Sequence, residues 1–154
     1  KNGATTIWER WDSYHAQKGT FGDVSMNSFN HYAYGAVGEW IAREVLGIRT
    51  SEERGETGYK KVILKPVVGG GLWYAKGYYD SVYGRIVSEW EKKEDKSIVY
   101  RCQIPANTTG NVILPIQSQL EKGKEGLEGV ERMQEEMLVF YLKSGWYQFH
   151  LKST

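Results

Sequence analysis

From residue 59 onward the chain is cut into short apolar runs, each closed by a turn signal. Run 59–66 ends at Pro66. Gly69-Gly70-Gly71 precedes run 72–79, and Asp80-Ser81 turns the chain into run 83–92. There Ile86, Ser88 and Trp90 point to one side while Arg85, Val87 and Glu89 point to the other, the period of a strand with one buried face. Lys93-Glu94-Asp95-Lys96 is a charged turn before run 97–104, and Pro105 separates that run from 109–115. Residues 117–134 are a glycine- and charge-rich stretch, not counted among the strands. Runs 137–142 and 146–151 read as a last hairpin around Lys143-Ser144-Gly145. About seven short strands with turns between them predict an antiparallel β-sandwich.

The first 48 residues follow another pattern. Residues 1–24 hold no useful period and read as a long irregular segment, a kind of loop that tends to carry function. Over 27–46, Ala33, Val37, Ile41 and Val45 recur every four residues, which predicts one helix. Ser25 or Ser28 is a candidate cap, and Gly47 stands where a left-handed C-terminal cap is expected. Gly35 and Gly38 each weaken such a helix by about 1 kcal/mol, which suggests close packing against another helix or a ligand. The expected division is loop plus helix at 1–48, a polar linker at 49–58 and the sandwich at 59–154. The fold class is mainly β, and residues 1–48 are too few to bury a core alone.

Composition excludes several functions. Net charge is +1, from 20 basic and 19 acidic residues with no basic run, so no nucleic-acid partner is expected. No apolar stretch is long enough to cross a membrane as a helix. Residues 1–4 lead into polar sequence, so no signal peptide is read there, and the compartment is left open. The single cysteine, Cys102, lies in a strand-like run and reads as an inert core thiol. His15, His31 and His150 lack the spacing of a metal site, and Gly69-Gly70-Gly71 is followed by neither Lys-Ser/Thr nor a helix. No metal and no cofactor are expected. Glu52, Glu53 and Glu56 read as solvated linker charges. The chain is rich in aromatics, with 11 Tyr, 6 Trp and 4 Phe, which suits either a thick sandwich core or sugar binding.

Glu9 is the most informative acid. It sits in Trp8-Glu9-Arg10-Trp11, where two indoles can shield a carboxylate from water in a setting suited to acid or base chemistry. The same four residues are also explained by a Glu9–Arg10 surface pair with both tryptophans turned into the core. Asp12 is a candidate to orient Arg10 or to cap a turn. His31, in Asn27-Ser28-Phe29-Asn30-His31, can donate to a sugar hydroxyl or serve as a half-buried cap. Glycosidic hydrolysis needs two carboxylates on opposite sides of the bond. Only Glu9 is credible here, so the second must come from sequence outside this chain.

Five stretches, in order, resemble the C-terminal part of bacterial α-L-rhamnosidases of glycoside hydrolase family 78. They are GATTIWERWDS, MNSFNHYAYGAVGEWI, GYKKVILKP, GGGLWYAKGYYDSVYGRIVSEW and IPANTTGNVILP, running from residue 3 to about 115. The resemblance implies the last loop and final helix of an (α/α)6 catalytic barrel, followed by the family's β-sandwich. It implies an inverting hydrolase of terminal α-L-rhamnosides, with Glu9 as the general base that activates water. It places His31 on the rhamnose and makes Trp8 and Trp11 plausible walls. The implied partners are a rhamnose-containing carbohydrate and the remainder of the barrel. The family's general acid lies in an earlier segment absent here, so this chain alone is expected to be inactive. The competing expectation is a non-catalytic carbohydrate-binding or structural sandwich. Exposed aromatics at Trp73, Tyr74, Tyr78 and Tyr79 would favour binding.

Overall fold

The structure is a computed structural model describing residues 4–133 and 136–152. Gly3, where the resemblance begins, and Gln134, where the glycine- and charge-rich run ends, lie outside the described residues. Contacts divide the chain into two units, Lys1–Trp40 and Ile41–Thr154.

In the first unit, β1 (Tyr14–His15) and β2 (Thr20–Phe21) form a small hairpin. Helical winding starts only at Tyr32, later than the sequence pattern predicts. A 3-10 turn, Tyr32–Ala36, leads to one α-helical turn, Val37–Trp40, and the second unit opens with a π-helical turn, Ile41–Val45. Neither Ser25 nor Ser28 caps this segment; His31 precedes it and makes no side-chain cap bond. Ser25 instead bonds Asp23, and those bonds hold the Asp23 carboxyl below its ordinary range. Among the described residues up to Trp40, only Ser13 is buried. A side chain at Gly35 or Gly38 would meet nothing within 4 Å. Among the described residues nothing packs at these glycines, and an isolated amphipathic helix is marginal without a partner for its apolar face.

The second unit is a sandwich. Its strands are β3 (Ile48–Thr50), β4 (Lys61–Leu64), β5 (Tyr74–Ser81), β6 (Gly84–Lys92), β7 (Ile98–Ile104), β8 (Thr109–Pro115), β9 (Ser118–Lys122), β10 (Leu127–Met133), β11 (Met137–Leu142) and β12 (Gly145–Leu151). They form two five-stranded sheets, ordered β10-β11-β8-β4-β3 and β5-β6-β7-β12-β9. Every pair is antiparallel except β4 with β8, where Val62 pairs with Gly110 and Leu64 with Val112. The period of two is realised as read: Ile86, Ser88 and Trp90 are buried, while Arg85, Val87 and Glu89 are not. Tyr100, Cys102 and Ile104 on β7, and Tyr147, Phe149 and Leu151 on β12, extend that buried face. Val62, Leu64, Val112, Leu114, Phe140 and Leu142 of the other sheet meet it in one cluster. Phe140 and Phe149 join the sheets edge to face, 4.9 Å apart. Cys102 is fully buried, and burial pushes its thiol up, away from the reactive thiolate.

Three expectations are corrected. Residues 137–142 and 146–151 are not a hairpin: β11 pairs with β10 and β8, whereas β12 pairs with β7 and β9 in the other sheet. The glycine- and charge-rich run, not counted among the strands, contains β9 and β10, one edge of each sheet. Edge strands bury few side chains, so their sequence shows little apolar alternation. Of the polar run 49–58, Arg49 and Thr50 belong to β3 and Ser51 is buried. Within it Glu56 accepts from Lys61 at 2.6 Å and from Ser51 at 2.9 Å, which holds its carboxyl below the usual range.

The end of the helical segment is fixed to this sandwich by its main-chain carbonyls. Trp90 Nε1 donates to Val45 O at 2.9 Å and Ser88 Oγ to Leu46 O at 2.5 Å. Val67 N donates to Glu44 O and Lys65 N to Gly47 O, at 2.9 and 3.0 Å. Gly47 has φ +72°, the left-handed cap expected, and a Cβ there would strike the Lys65–Pro66 backbone. Gly77 makes room for the Leu46 side chain in the same way.

Candidate functional site

The opening segment holds its shape through main-chain bonds to the residues before the helical turns. Glu9 N donates to Ser28 O and His31 N donates to Ile7 O, each at 2.8 Å. The Thr6 hydroxyl donates to Phe29 O. These bonds lay residues 6–9 alongside 28–31, and so bring the two sequence-distant candidates together. His31 Nδ1 lies 3.8 Å from Glu9 Oε2, within ion-pair range but beyond a hydrogen bond. Neither side chain is deeply buried, at 30% and 23% exposed, so both can meet a ligand.

Trp8 is half-buried and packs edge-on against Phe29, with centroids 5.0 Å apart. Phe29 meets Phe21, and Phe21 meets Tyr14, so the indole rests on a small aromatic stack. Trp11 is fully exposed. Among the described residues no core receives it. Arg10 Nε pairs with Asp12 Oδ1 at 3.2 Å and not with Glu9. Glu9 is left without a cation from its own stretch.

Trp8, Glu9 and Trp11 line one hollow of about 500 Å³, together with Ile7, Arg10 and Tyr34. His31 is not among its lining residues and reaches the site through Glu9. The sequence reading missed Tyr34. Its hydroxyl donates to Glu9 O at 3.2 Å, and its ring centroid lies 4.7 Å from that of His31. The available signal was its spacing, three residues after His31 in a helical turn. Asn27 Nδ2 donates to Ser13 O at 2.9 Å, while its buried Oδ1 has no partner among the described residues. Among the described residues no group of three or more His, Cys, Asp or Glu could hold a metal ion.

Residues 1–45 match the model of the bacterial α-L-rhamnosidase 6-hairpin glycosidase domain, and residues 47–128 match that of the bacterial α-L-rhamnosidase C-terminal domain. The chain belongs to the bacterial α-L-rhamnosidase family. An α-L-rhamnosidase of Streptomyces avermitilis is 41% identical over 113 residues, 73% of this chain and 10% of that protein. One of Formosa agariphila is 40% identical over 113 residues, 73% of this chain and 12% of that protein. The crystal structure of the Streptomyces avermitilis α-L-rhamnosidase complexed with L-rhamnose superposes with a TM-score of 0.77 at 35% identity, covering 97% of this chain and 14% of that one. The structure of α-L-rhamnosidase from Dictyoglumus thermophilum gives 0.72 at 30% identity, covering 98% and 16%. The chain therefore spans between 10% and 16% of the length of these relatives.

Proposed function

We propose that this chain is the end of the catalytic barrel plus the sandwich of an inverting α-L-rhamnosidase, and that Glu9 is its general base. The observation that carries this reading is the hollow in which Glu9 stands between Trp8 and Trp11. An indole offers an apolar face to the C–H side of a sugar ring, while a carboxylate beside it takes a proton from water. Trp8, braced on Phe29, is the firmer wall, and Trp11 the more accessible one. His31 sits close enough to Glu9 for both to reach one sugar hydroxyl or the attacking water. The general acid comes from the remainder of the barrel, about 6.5–9.5 Å from Glu9, the gap that admits water in an inverting site. The isolated chain is accordingly inactive.

The test uses the complete protein with an aryl α-L-rhamnoside. Proton NMR of the first turnovers is expected to show β-L-rhamnose as the initial product, while this chain alone releases none. Initial release of the α-anomer would overturn inversion, and with it a base role for Glu9. For His31→Ala in the complete protein, kcat/KM is expected to fall by about 10–100-fold, the value of a hydrogen bond to a polar substrate group. Unchanged kinetics would remove His31 from the site.

A further inference from the structure

On the sandwich, far along the sequence from Glu9, a groove of about 620 Å³ opens beside Trp73. Its floor is apolar, formed by Ile98 and Leu151, the latter only 2% exposed. Trp73 forms a wall and leaves 69% of its surface to solvent. The indole is carried on a fixed backbone, since Lys92 N donates to Trp73 O at 2.8 Å. Four lysines line the groove, Lys92, Lys93, Lys96 and Lys152, against one acid, Glu94. Lys93 is tied to Glu91 at 2.7 Å. Among the described residues Lys92, Lys96 and Lys152 have no ion-pair partner.

An exposed indole on an apolar-floored groove suits a flat molecule with one apolar face. Ammonium groups without a partner among the described residues raise the local potential and favour an anion. A pyranose bearing a negative group satisfies both demands at once. Single-stranded nucleic acid is the other polyanion with flat faces. It stacks successive bases along a row of aromatics in a basic channel, whereas this groove holds one indole in a chain of net charge +1. We propose that the groove binds an anionic oligosaccharide, one ring face against Trp73 and its carboxylate or sulfate among Lys92, Lys96 and Lys152. The groove shares no lining residue with the hollow around Glu9, and the proposal does not depend on the rhamnosidase reading.

Calorimetric titration of the complete protein tests this with four probes of similar length: an oligo-uronide, a sulfated oligosaccharide, a neutral oligoglucoside and a single-stranded oligonucleotide. One or both acidic sugars are expected to bind saturably, and the arm that binds names the anion. Trp73→Ala should weaken that binding by about tenfold or more. Joint replacement of Lys92, Lys96 and Lys152 by Gln should do the same and flatten its salt dependence. Hydrolysis of a small aryl rhamnoside should be unchanged in both variants. Absence of saturable binding by both acidic sugars would overturn the proposal. So would equal or tighter binding of the neutral sugar or the oligonucleotide, or affinities untouched by the substitutions.

Discussion

Replacing Glu9 by Gln in the complete protein should lower kcat by about 10²–10⁴ and leave the fold intact, the range lost when a positioned general base is removed. The substitution keeps the side chain's size and shape while removing its negative charge and its capacity to take a proton. The bonds that hold this stretch are made by the Glu9 main chain, which donates to Ser28 O and accepts from the Tyr34 hydroxyl. The loss should therefore fall on kcat, with KM changed much less. Kinetics on an aryl α-L-rhamnoside, with circular dichroism as the check on folding, measure both. Activity near that of the unaltered protein would end the assignment of Glu9, whereas a rise in KM alone would make it a binding residue.

That assignment shows what a linear reading can reach. Trp8-Glu9-Arg10-Trp11 admitted two explanations, because adjacent letters do not say which way an indole turns. What the structure adds is that Trp11 is exposed in this chain and that Arg10 pairs with Asp12. Proximity of His31 to Glu9 was invisible to spacing, since it arises from two main-chain bonds joining segments about twenty residues apart. Strands with a buried face, such as β6, were plain from their period of two. The edge strands β9 and β10 were not, because an edge buries too little to write a period into the sequence. The helical stripe was read correctly as a pattern but overestimated as structure. Val37 and Ile41 are 56% and 46% exposed here, and a regular helix is expected to settle only against the rest of a barrel.

Trp90→Ala should cost this chain about 3–5 kcal/mol of unfolding free energy, the range for truncating a buried aromatic. Trp90 is 1% exposed in the centre of the sandwich core, so its loss leaves a cavity the two sheets cannot readily close. It also removes the donor to Val45 O. Trp90→Phe separates these effects. It keeps most of the ring while leaving the Val45 carbonyl unmatched, at a cost of about 1–3 kcal/mol. Urea unfolding followed by far-UV circular dichroism reads both variants on this chain, where the extended core among the described residues is that of the sandwich. The alanine variant should lose clearly more than the phenylalanine variant. A loss within about 1 kcal/mol for Trp90→Ala would mean that this core repacks, and that Val45 finds another donor. If the larger loss is seen, Trp90 does two things with one side chain. It fills the space between sheets, and it holds the carbonyl end of the helical segment. With Ser88 on Leu46 O and Lys65 on Gly47 O, that end has a defined seat on the sandwich.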